Sequence, residues 1–333
     1  MNFWKDKKIL ITGGCGLIGS PLARNLLTAG SHITIIDDLS RGRPEFLEDI
    51  LEQITLNVFD LRDYKKCLDS IKGFDVVIHM ASRVGGIKVY TDQAFSIMND
   101  NILIDSNTLR ASLHNGIKKF FYASSAHVYP IELQNIASGP SITEEDAYPA
   151  NPLLSYGWAK LIAEKQLEAA GREFKDFSVA IARYIGIYGP NQDYGLDTGS
   201  VIPVFSHRAI KYPEVDFTIW GDGEETRSYC YIDDTVQCTK MMIESMEDQQ
   251  IVGPYNVGSS NVVKIKEIAQ KIVAISGKDI KIEFDTSKKA KILSQWCNCG
   301  KIYEELGWKT TTSFDDGLKI VYNDIQRRMH DFT

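Results

Sequence analysis

Short apolar runs rich in β-branched residues recur along the first half of the chain, separated by longer amphipathic stretches. The runs predict strands at 8–12, 33–37, 54–58, 75–79, 118–123 and 178–183. The intervening stretches predict helices at 17–29, 63–71, 93–115 and 153–171, with another helix at 200–211. Strands that are apolar on both faces and alternate with helices are typical of a parallel sheet covered on both sides. The pattern therefore predicts an α/β fold built on a doubly wound parallel sheet.

The pattern changes after residue 183, where a loop-rich segment precedes shorter strands and helices. A chain of 333 residues is long enough for two domains. We expect a larger domain over 1–182 and a smaller α/β domain over 183–333, with some C-terminal segments returning to the first domain.

Composition excludes several classes of protein. The net charge of −7 leaves no basic excess to replace the counterions of a nucleic acid, so we expect no nucleic-acid partner. No apolar run approaches the roughly 20 residues of a membrane span, and the N-terminal residues lack the apolar region and cleavage site of a signal peptide, so we expect neither feature. Only Cys297 and Cys299 of the six cysteines lie close together in sequence, so no metal site is expected. We expect a cytoplasmic protein with reduced cysteines.

A glycine-rich turn follows the first predicted strand. Gly13, Gly16 and Gly19 permit a tight turn, close approach to a pyrophosphate and close packing of helix on sheet. The following helix directs its free N–H groups toward the phosphates. Asp37 ends the second strand, where a carboxylate accepts ribose hydroxyls and repels a 2′-phosphate. These features predict a Rossmann domain that prefers NAD, although Arg41 and Arg43 nearby leave NADP open.

A second motif follows the fifth strand. Tyr156 and Lys160 stand one helical turn apart on one face, and Ser124 and Ser125 end the strand at 118–123. The neighbouring ammonium group and the positive nicotinamide ring are expected to lower the pKa of the Tyr156 phenol, so that it serves as a base. Ser125 and His127 are predicted to face one side of an extended segment.

Across essentially its whole length, the sequence resembles the extended short-chain dehydrogenase/reductases that act on nucleotide sugars. The resemblance rests on TGGCGLIG at 12–19, HMAS at 79–82, YASSAHVYP at 122–130, YGWAK at 156–160, RYIGIYGP at 183–190 and WGDGEETRSYCYIDD at 220–234. It implies that Tyr156 abstracts the hydroxyl proton, Ser125 orients the oxygen and Lys160 holds the cofactor ribose. It implies a homodimer in which the helices at 93–115 and 153–171 pair across a two-fold axis. The implied NAD contacts are Gly13, Gly16, Leu17, Ile18, Asp37, Asp60, Leu61, Met80, Ala81, Ser82, Asn101, Tyr156, Lys160 and Tyr184. Asp60 could instead, or in addition, cap the following helix.

Within this family, the loop Val84-Gly85-Gly86 is similar to that of GDP-fucose synthase and GDP-mannose 3,5-epimerase. The similarity implies a GDP-sugar substrate. Its implied contacts are Val84, Gly85, Gly86, Ser125, His127, Ser200, Val201 and Arg227, with Arg227 on the diphosphate.

The sequence also departs from those two enzymes. His127 stands where they carry a catalytic Cys, and no His or Lys occurs at 198–200. Gly186 replaces a usual Asn, and Gln295 replaces an expected Arg, for which Lys291 could compensate. His127 is equally interpretable as a base or as a packing and hydrogen-bonding residue.

These departures favour NAD-dependent oxidation at C4 of a GDP-linked manno-configured hexose or heptose, giving a 4-keto sugar. The alternatives are a 4-epimerase, a 3,5-epimerase-like enzyme, a 4,6-dehydratase, or a non-catalytic NAD-binding protein.

Overall fold

The computed structural model describes residues 2–136, 139–288 and 292–330. The elements of the first half are β1 (Lys8–Thr12), α1 (Gly19–Thr28), β2 (His32–Asp37), β3 (Thr55–Val58), α2 (Tyr64–Ser70), β4 (Val76–His79), α3 (Ile87–Asp92), α4 (Ala94–His114), β5 (Lys119–Ser125), α5 (Ile131–Gln134), α6 (Ser155–Glu173) and β6 (Ser178–Tyr184). Each strand predicted in this half is present, with bounds that differ by no more than two residues.

The second half contains shorter elements. They are β7 (Ile187–Tyr188), α7 (Val201–Lys211), β8 (Thr218–Trp220), β9 (Thr226–Ser228), β10 (Cys230–Tyr231), α8 (Ile232–Glu244), β11 (Ile251–Val257), β12 (Val262–Lys264), α9 (Ile265–Ser276), β13 (Glu283–Asp285), β14 (Ser294–Gln295), α10 (Gly300–Leu306) and α11 (Phe314–His330).

The central sheet has seven parallel strands in the order β11-β6-β5-β4-β1-β2-β3. The strand order reverses at β1, so the carboxyl ends of β1 and β4 flank a crevice of the kind in which α/β proteins bind ligands. Buried apolar side chains of α1 and α8 cover one face of the sheet, and those of α2, α4 and α6 cover the other. The predicted doubly wound α/β fold is confirmed.

The second half of the chain has its own apolar cluster, which joins α7, α9 and α11. However, β11 also comes from this half, and it pairs with β6 at the edge of the central sheet. The division of the chain at residue 182 therefore stays a prediction. No helix in the described parts of the chain has both the length and the apolar character that crossing a membrane requires.

Candidate active site

The glycine turn lies directly against the loop that follows β4. Gly13 adopts a left-handed φ of +68°, and a Cβ at this residue would lie 2.7 Å from the backbone nitrogen of Ala81. The N–H of Met80 donates to the carbonyl of Thr12 at 3.1 Å, which holds the two segments together. Gly16 bonds back to Gly13, and residues 17 and 18 lead into α1. The crevice at this point is thus lined by backbone, as close approach of a pyrophosphate requires.

Asp37 lies beside this turn at the end of β2. Its carboxylate accepts the N–H groups of Cys15 and Leu39, both at 3.0 Å, and burial raises its pKa. Arg41, one of the two arginines that left NADP open, donates to the carbonyl of Val84 at 3.1 Å. A buried carboxylate beside a glycine turn fits the adenosine ribose of NAD.

Asp60 and Leu61 follow β3. Asp60 pairs with the Arg62 guanidinium, which lowers the pKa of the carboxyl and leaves its oxygens exposed in part. The expectation that Asp60 could cap the following helix is wrong, because Asp63 caps α2 by accepting the N–H of Lys66. The carbonyl of Leu61 accepts a hydrogen bond from the Asn107 side chain at 3.1 Å. The adenine contact of this pair stays a prediction.

Asn101 is fully buried in α4 and holds the loop after β4. Its Oδ1 accepts from the Ser82 hydroxyl at 2.6 Å and from the N–H of Arg83 at 2.8 Å. Its Nδ2 donates to the carbonyls of Arg83 and Ile97. These four bonds use the whole hydrogen-bonding capacity of the amide, so any cofactor contact of Asn101 would be by packing.

Tyr156, Ser125 and Ser82 converge at the carboxyl ends of β4 and β5. Ser82 and Ser125 both lie close enough to the Tyr156 hydroxyl to lower its pKa, and Lys160 lies one turn further along α6. Ser124, the neighbouring serine, points away and donates to buried Glu164, which forms an ion pair with Arg183. The structure therefore brings the predicted Ser–Tyr–Lys set together and selects Ser125 over Ser124.

Burial opposes the expected lowering of the Tyr156 pKa. Burial raises the pKa of Tyr156 to about 12, and this effect exceeds the opposing effects of Ser82 and Ser125. The Lys160 ammonium lies 4.6 Å from the ring centroid of Tyr122 and 5.7 Å from that of Tyr156. Burial also lowers the pKa of Lys160, against the opposing effect of Asp105. Lys160 alone therefore does not make the phenol acidic.

His127 lies next to Tyr156, but on a different backbone from the one expected. The strand ends at Ser125, and residues 126–128 form a 3₁₀ turn in which Ser125 Oγ accepts the N–H of His127 at 3.3 Å. The prediction of an extended segment is wrong, because this cap turns the chain away from the sheet. The imidazole still meets Tyr156 edge-on, with 5.8 Å between the ring centroids. Burial and the nearby Arg227 lower the pKa of His127 to about 4.

Arg227 lies on β9, in register with Gln295 on β14. Its guanidinium is part-buried and donates to the carbonyls of Thr226 and Ile292, at 2.7 and 2.9 Å. Gln295 approaches His127 from this side, with 3.5 Å between Nε2 and Nδ1. Lys291, named as a compensating cation, lies outside the described residues.

Two further expected positions are explained by local contacts. Gly186 has a φ of +58°, and a Cβ there would overlap the carbonyl oxygen of Ser228, so the Asn usual at this position does not fit. Tyr184 is buried and turns its hydroxyl toward Thr239 of α8, at 2.5 Å. Its cofactor contact stays a prediction.

The loop at 84–86 lies at the mouth of the crevice. Gly86 is the N-cap of α3 and lies near the carbonyl of Asp197, while a Cβ at Gly85 would overlap Val89. Ser200 precedes α7 and accepts a long hydrogen bond of 3.4 Å from Gln192, and Val201 is the first residue of the helix. The two stretches of predicted substrate contacts, 84–86 and 200–201, therefore lie near each other, because Gly86 lies close to Asp197.

Sequence reasoning missed Tyr90 on α3. Its buried ring lies 5.3 Å from that of Tyr156 and 6.1 Å from that of His127, between centroids. Burial raises its pKa well above the usual value, against an opposing effect of the Gly85 backbone. Tyr90 therefore joins the 84–86 loop to the Tyr156–His127 pair. No motif signalled it, because Tyr90 follows the glycine loop on a one-and-a-half-turn helix.

A second missed feature is a buried polar network behind the site. His79 bonds to Asp105 through Nε2 at 2.9 Å and to the Thr12 hydroxyl through Nδ1 at 2.6 Å. Asp105 also accepts from Tyr122, whose ring lies beneath the Lys160 ammonium. Burial lowers the pKa of His79, although Asp105 opposes this shift. The network connects the glycine turn to Lys160 through fully buried groups. Among the described residues, no group of His, Cys, Asp and Glu side chains could hold a metal ion.

Comparison with known proteins agrees with this geometry. The family model described as the NAD dependent epimerase/dehydratase family matches residues 9–258, most of the chain. The chain belongs to this family. It is also 32% identical over 325 residues to GDP-mannose 3,5-epimerase 1 of Oryza sativa subsp. japonica, covering 96% of this chain and 82% of that protein.

Solved structures of this family share the fold. UDP-glucose 4-epimerase of Thermotoga maritima, solved with UDP-glucose, has a TM-score of 0.84 at 25% identity, covering 97% of this chain and 99% of that chain. UDP-glucose 4-epimerase of Thermus thermophilus, solved with NAD, has a TM-score of 0.81 at 22% identity, covering 96% of this chain and 99% of that chain. The protein is a member of an NAD-dependent family of nucleotide-sugar enzymes, and the glycine turn and Asp37 fit that cofactor.

Proposed function

We propose that this protein oxidises C4 of a GDP-linked manno-configured sugar, a hexose or a heptose, and gives a 4-keto nucleotide sugar. The observation that carries the proposal is the position of Tyr156, which lies beside Ser82 and Ser125 at the carboxyl ends of β4 and β5 with Lys160 on the same helix. This one cluster can remove a hydroxyl proton, whereas proton removal from ring carbons needs further groups.

The chain's own residues divide the work as follows. Ser125 holds the C4 hydroxyl, and Tyr156 removes its proton while the C4–H electron pair leaves as a hydride. Bound NAD supplies the acceptor for that hydride. The Lys160 ammonium and the positive charge that accompanies the cofactor favour the phenolate, against the burial that raises the Tyr156 pKa to about 12.

The choice of GDP is supported by the relative from rice and by two features of the chain. The Val84-Gly85-Gly86 loop borders the crevice, and Arg227 lies beside His127 with guanidinium N–H groups beyond those it gives to backbone carbonyls. A planar guanidinium suits the oxygens of a diphosphate.

Inversion at C3 and C5 is not expected. It requires a proton removed from one face of each carbon and returned to the other. His127, with a pKa near 4, is a weak base at neutral pH, and residues 198–200 are Thr, Gly and Ser. However, 3,5-epimerisation is the second candidate function, because the chain is 32% identical to the rice GDP-mannose 3,5-epimerase.

One experiment separates these outcomes. The protein is incubated with NAD and a GDP-manno sugar in D₂O, and the sugar is followed by NMR. Absorbance of the reduced cofactor together with no solvent deuterium at C3 or C5 supports the proposal. Deuterium at both carbons with inverted configuration would instead establish 3,5-epimerisation, and deuterium at C5 with loss of water would establish 4,6-dehydration.

Replacement of Tyr156 by Phe tests the redox step. We expect Tyr156→Phe to fold and bind NAD normally but to lose roughly 10²–10⁴-fold in turnover, the scale of general-base catalysis. The measurement is the rate of cofactor reduction. Tyr303→Phe, at an exposed position on α10, is the control and should turn over normally. Near-normal reduction by Tyr156→Phe would remove Tyr156 from the base role.

A further inference from the structure

We propose that Gln295 is a positioning residue that holds His127 as a hydrogen-bond donor, with the single imidazole proton on Nε2, toward an oxygen of the sugar. The identity of the sugar rests on the proposed function, but the position of the proton does not. This assignment decides between the two roles that the sequence left open for His127, in favour of hydrogen bonding.

The argument begins at a group whose direction is fixed. The backbone carbonyl of Tyr129 can only accept, and Gln134 Nε2 donates to it at 2.9 Å. The amide of Gln134 therefore has its Nε2 toward Tyr129 and its Oε1 toward Gln295. Oε1 can only accept in its turn, and Gln295 Nε2 lies 3.3 Å from it.

The orientation of the Gln295 amide in turn determines which nitrogen of His127 carries the proton. Because Gln295 Nε2 faces Gln134 Oε1, the second hydrogen of the same amino group is available to His127 Nδ1, 3.5 Å away. A nitrogen that faces a donor must present its lone pair, so the proton of the neutral ring lies on Nε2. Nε2 has no hydrogen-bond partner among the described residues, and is the atom left for a ligand.

The other groups around the ring are consistent with a neutral donor. Arg227 is the cation close enough to affect it, while the rings of Tyr90 and Tyr156 meet its other faces. Burial and the Arg227 charge disfavour the imidazolium form. In this state Nε2–H donates to a hydroxyl or carbonyl oxygen and has no lone pair with which to remove a ring proton.

The two glutamines thus form a relay from the Tyr129 carbonyl to the imidazole. The relay joins the turn that carries His127 and helix α5 to strand β14, which also lies beside Arg227. A family enzyme with Arg at the position of Gln295 would place a cation there, whereas Gln295 is neutral and fixes one tautomer.

The test is ¹⁵N NMR of the protein labelled at histidine, recorded at pH 7 without substrate. The signal of His127 is identified by its loss in His127→Gln. His207 provides an internal reference, because its Nδ1 donates to the Tyr194 carbonyl at 2.7 Å and so carries the opposite tautomer. We expect the Nε2–H pattern for His127 and the Nδ1–H pattern for His207. An Nδ1–H pattern or an imidazolium at His127 overturns the proposal.

Two variants test the role of Gln295. Gln295→Glu replaces the donor by an acceptor, so His127 should move to the Nδ1–H or imidazolium pattern while His207 stays unchanged. Gln295→Met removes the donor without adding charge, and should give a mixture of His127 tautomers. It therefore tests the role of Gln295 even where Gln295→Glu does not fold. An Nε2–H pattern that persists in both variants would overturn the positioning role. Because no substrate is present, failure of the proposed reaction leaves these results unaffected.

Discussion

Asp37, at the end of β2, is the residue whose charge is expected to favour NAD over NADP. The N–H groups of Cys15 and Leu39 hold its carboxylate beside the glycine turn, although burial raises its pKa. Two negative charges near 4 Å apart repel by about 4 kcal/mol at an effective dielectric of about 20, so a 2′-phosphate is disfavoured there.

We expect Asp37→Asn, which keeps one acceptor oxygen and loses the charge, to reduce the preference for NAD over NADP roughly tenfold to a hundredfold. Dissociation constants of both cofactors, measured by calorimetry, give the ratio. Asp38→Asn is the matched control, since its side chain is exposed one residue away. A ratio that is equal in Asp37→Asn and in the parent protein would contradict the role of Asp37.

Among single residues, the sequence predicted which side chains meet at the site better than it predicted their pKa values. Tyr156 and Lys160 share a helical face whatever the detailed packing, because four residues make about one turn. Their pKa values depend on burial by distant segments, which local spacing does not contain. The same holds for Tyr90 and the Gln134–Gln295 contact, which join residues brought together only by the tertiary fold.

At the scale of elements, the close approach of α6 to the 3₁₀ turn at 126–128 sets the distance between Tyr156 and His127. Gly157 makes this possible, because a Cβ at this residue would overlap the carbonyl oxygen of His127. The helix can begin beside the turn only where no side chain intervenes. Both active-site rings are therefore positioned by one backbone-to-backbone contact.

We expect Gly157→Ala to push α6 away from the turn, to destabilise the protein by about 1–3 kcal/mol and to lower turnover. Urea denaturation and the rate of cofactor reduction are the measurements. Gly171→Ala, in the same helix, is the control: its Cβ would lie 3.0 Å from Ile251 and 3.3 Å from Val179, both side-chain rather than backbone atoms, and alanine favours the helix by about 1 kcal/mol. Equal stability losses in the two variants would contradict the specific contact.

The elements themselves were predicted with uneven success, for a physical reason. Buried parallel strands such as β1 and β4 are visible in the sequence as continuous apolar runs, and the ends of each run predict the ends of the strand. The turn at 126–128 was predicted as extended, because the Ser125 cap that bends it is a side-chain contact rather than a hydrophobic period. The place of β11 beside β6 depends on a pairing between residues about 70 positions apart.

At the scale of the whole molecule, the outer faces of α4 and α6 leave a groove of about 270 Å³. It is lined by Ser106, Leu109, Arg110, Leu113, Gln166, Ala169, Ala170, Glu173 and Phe174. Leu103 lies on the same face of α4 as Ser106 and Arg110 by helical spacing, and is 39% exposed. This surface combines apolar side chains with polar and charged ones, as subunit interfaces do, and we propose that it packs against its own copy about a two-fold axis in a homodimer.

Light scattering should therefore give twice the chain mass of 37.4 kDa. We expect Leu103→Glu to raise the dimer dissociation constant at least roughly a hundredfold, because each interface would bury two uncompensated carboxylates at several kcal/mol in total. Ile320→Glu is the matched control, since Ile320 is 42% exposed on α11, away from this face. A dimer that resists Leu103→Glu, or that dissociates equally in Ile320→Glu, would place the interface elsewhere. Within one chain, α4 packs on α6, and the Ser106 hydroxyl donates to the Gln166 side chain at 3.2 Å. If Leu103→Glu gives a folded, stable monomer, the substitution disrupts the dimer and leaves this packing of α4 on α6 intact.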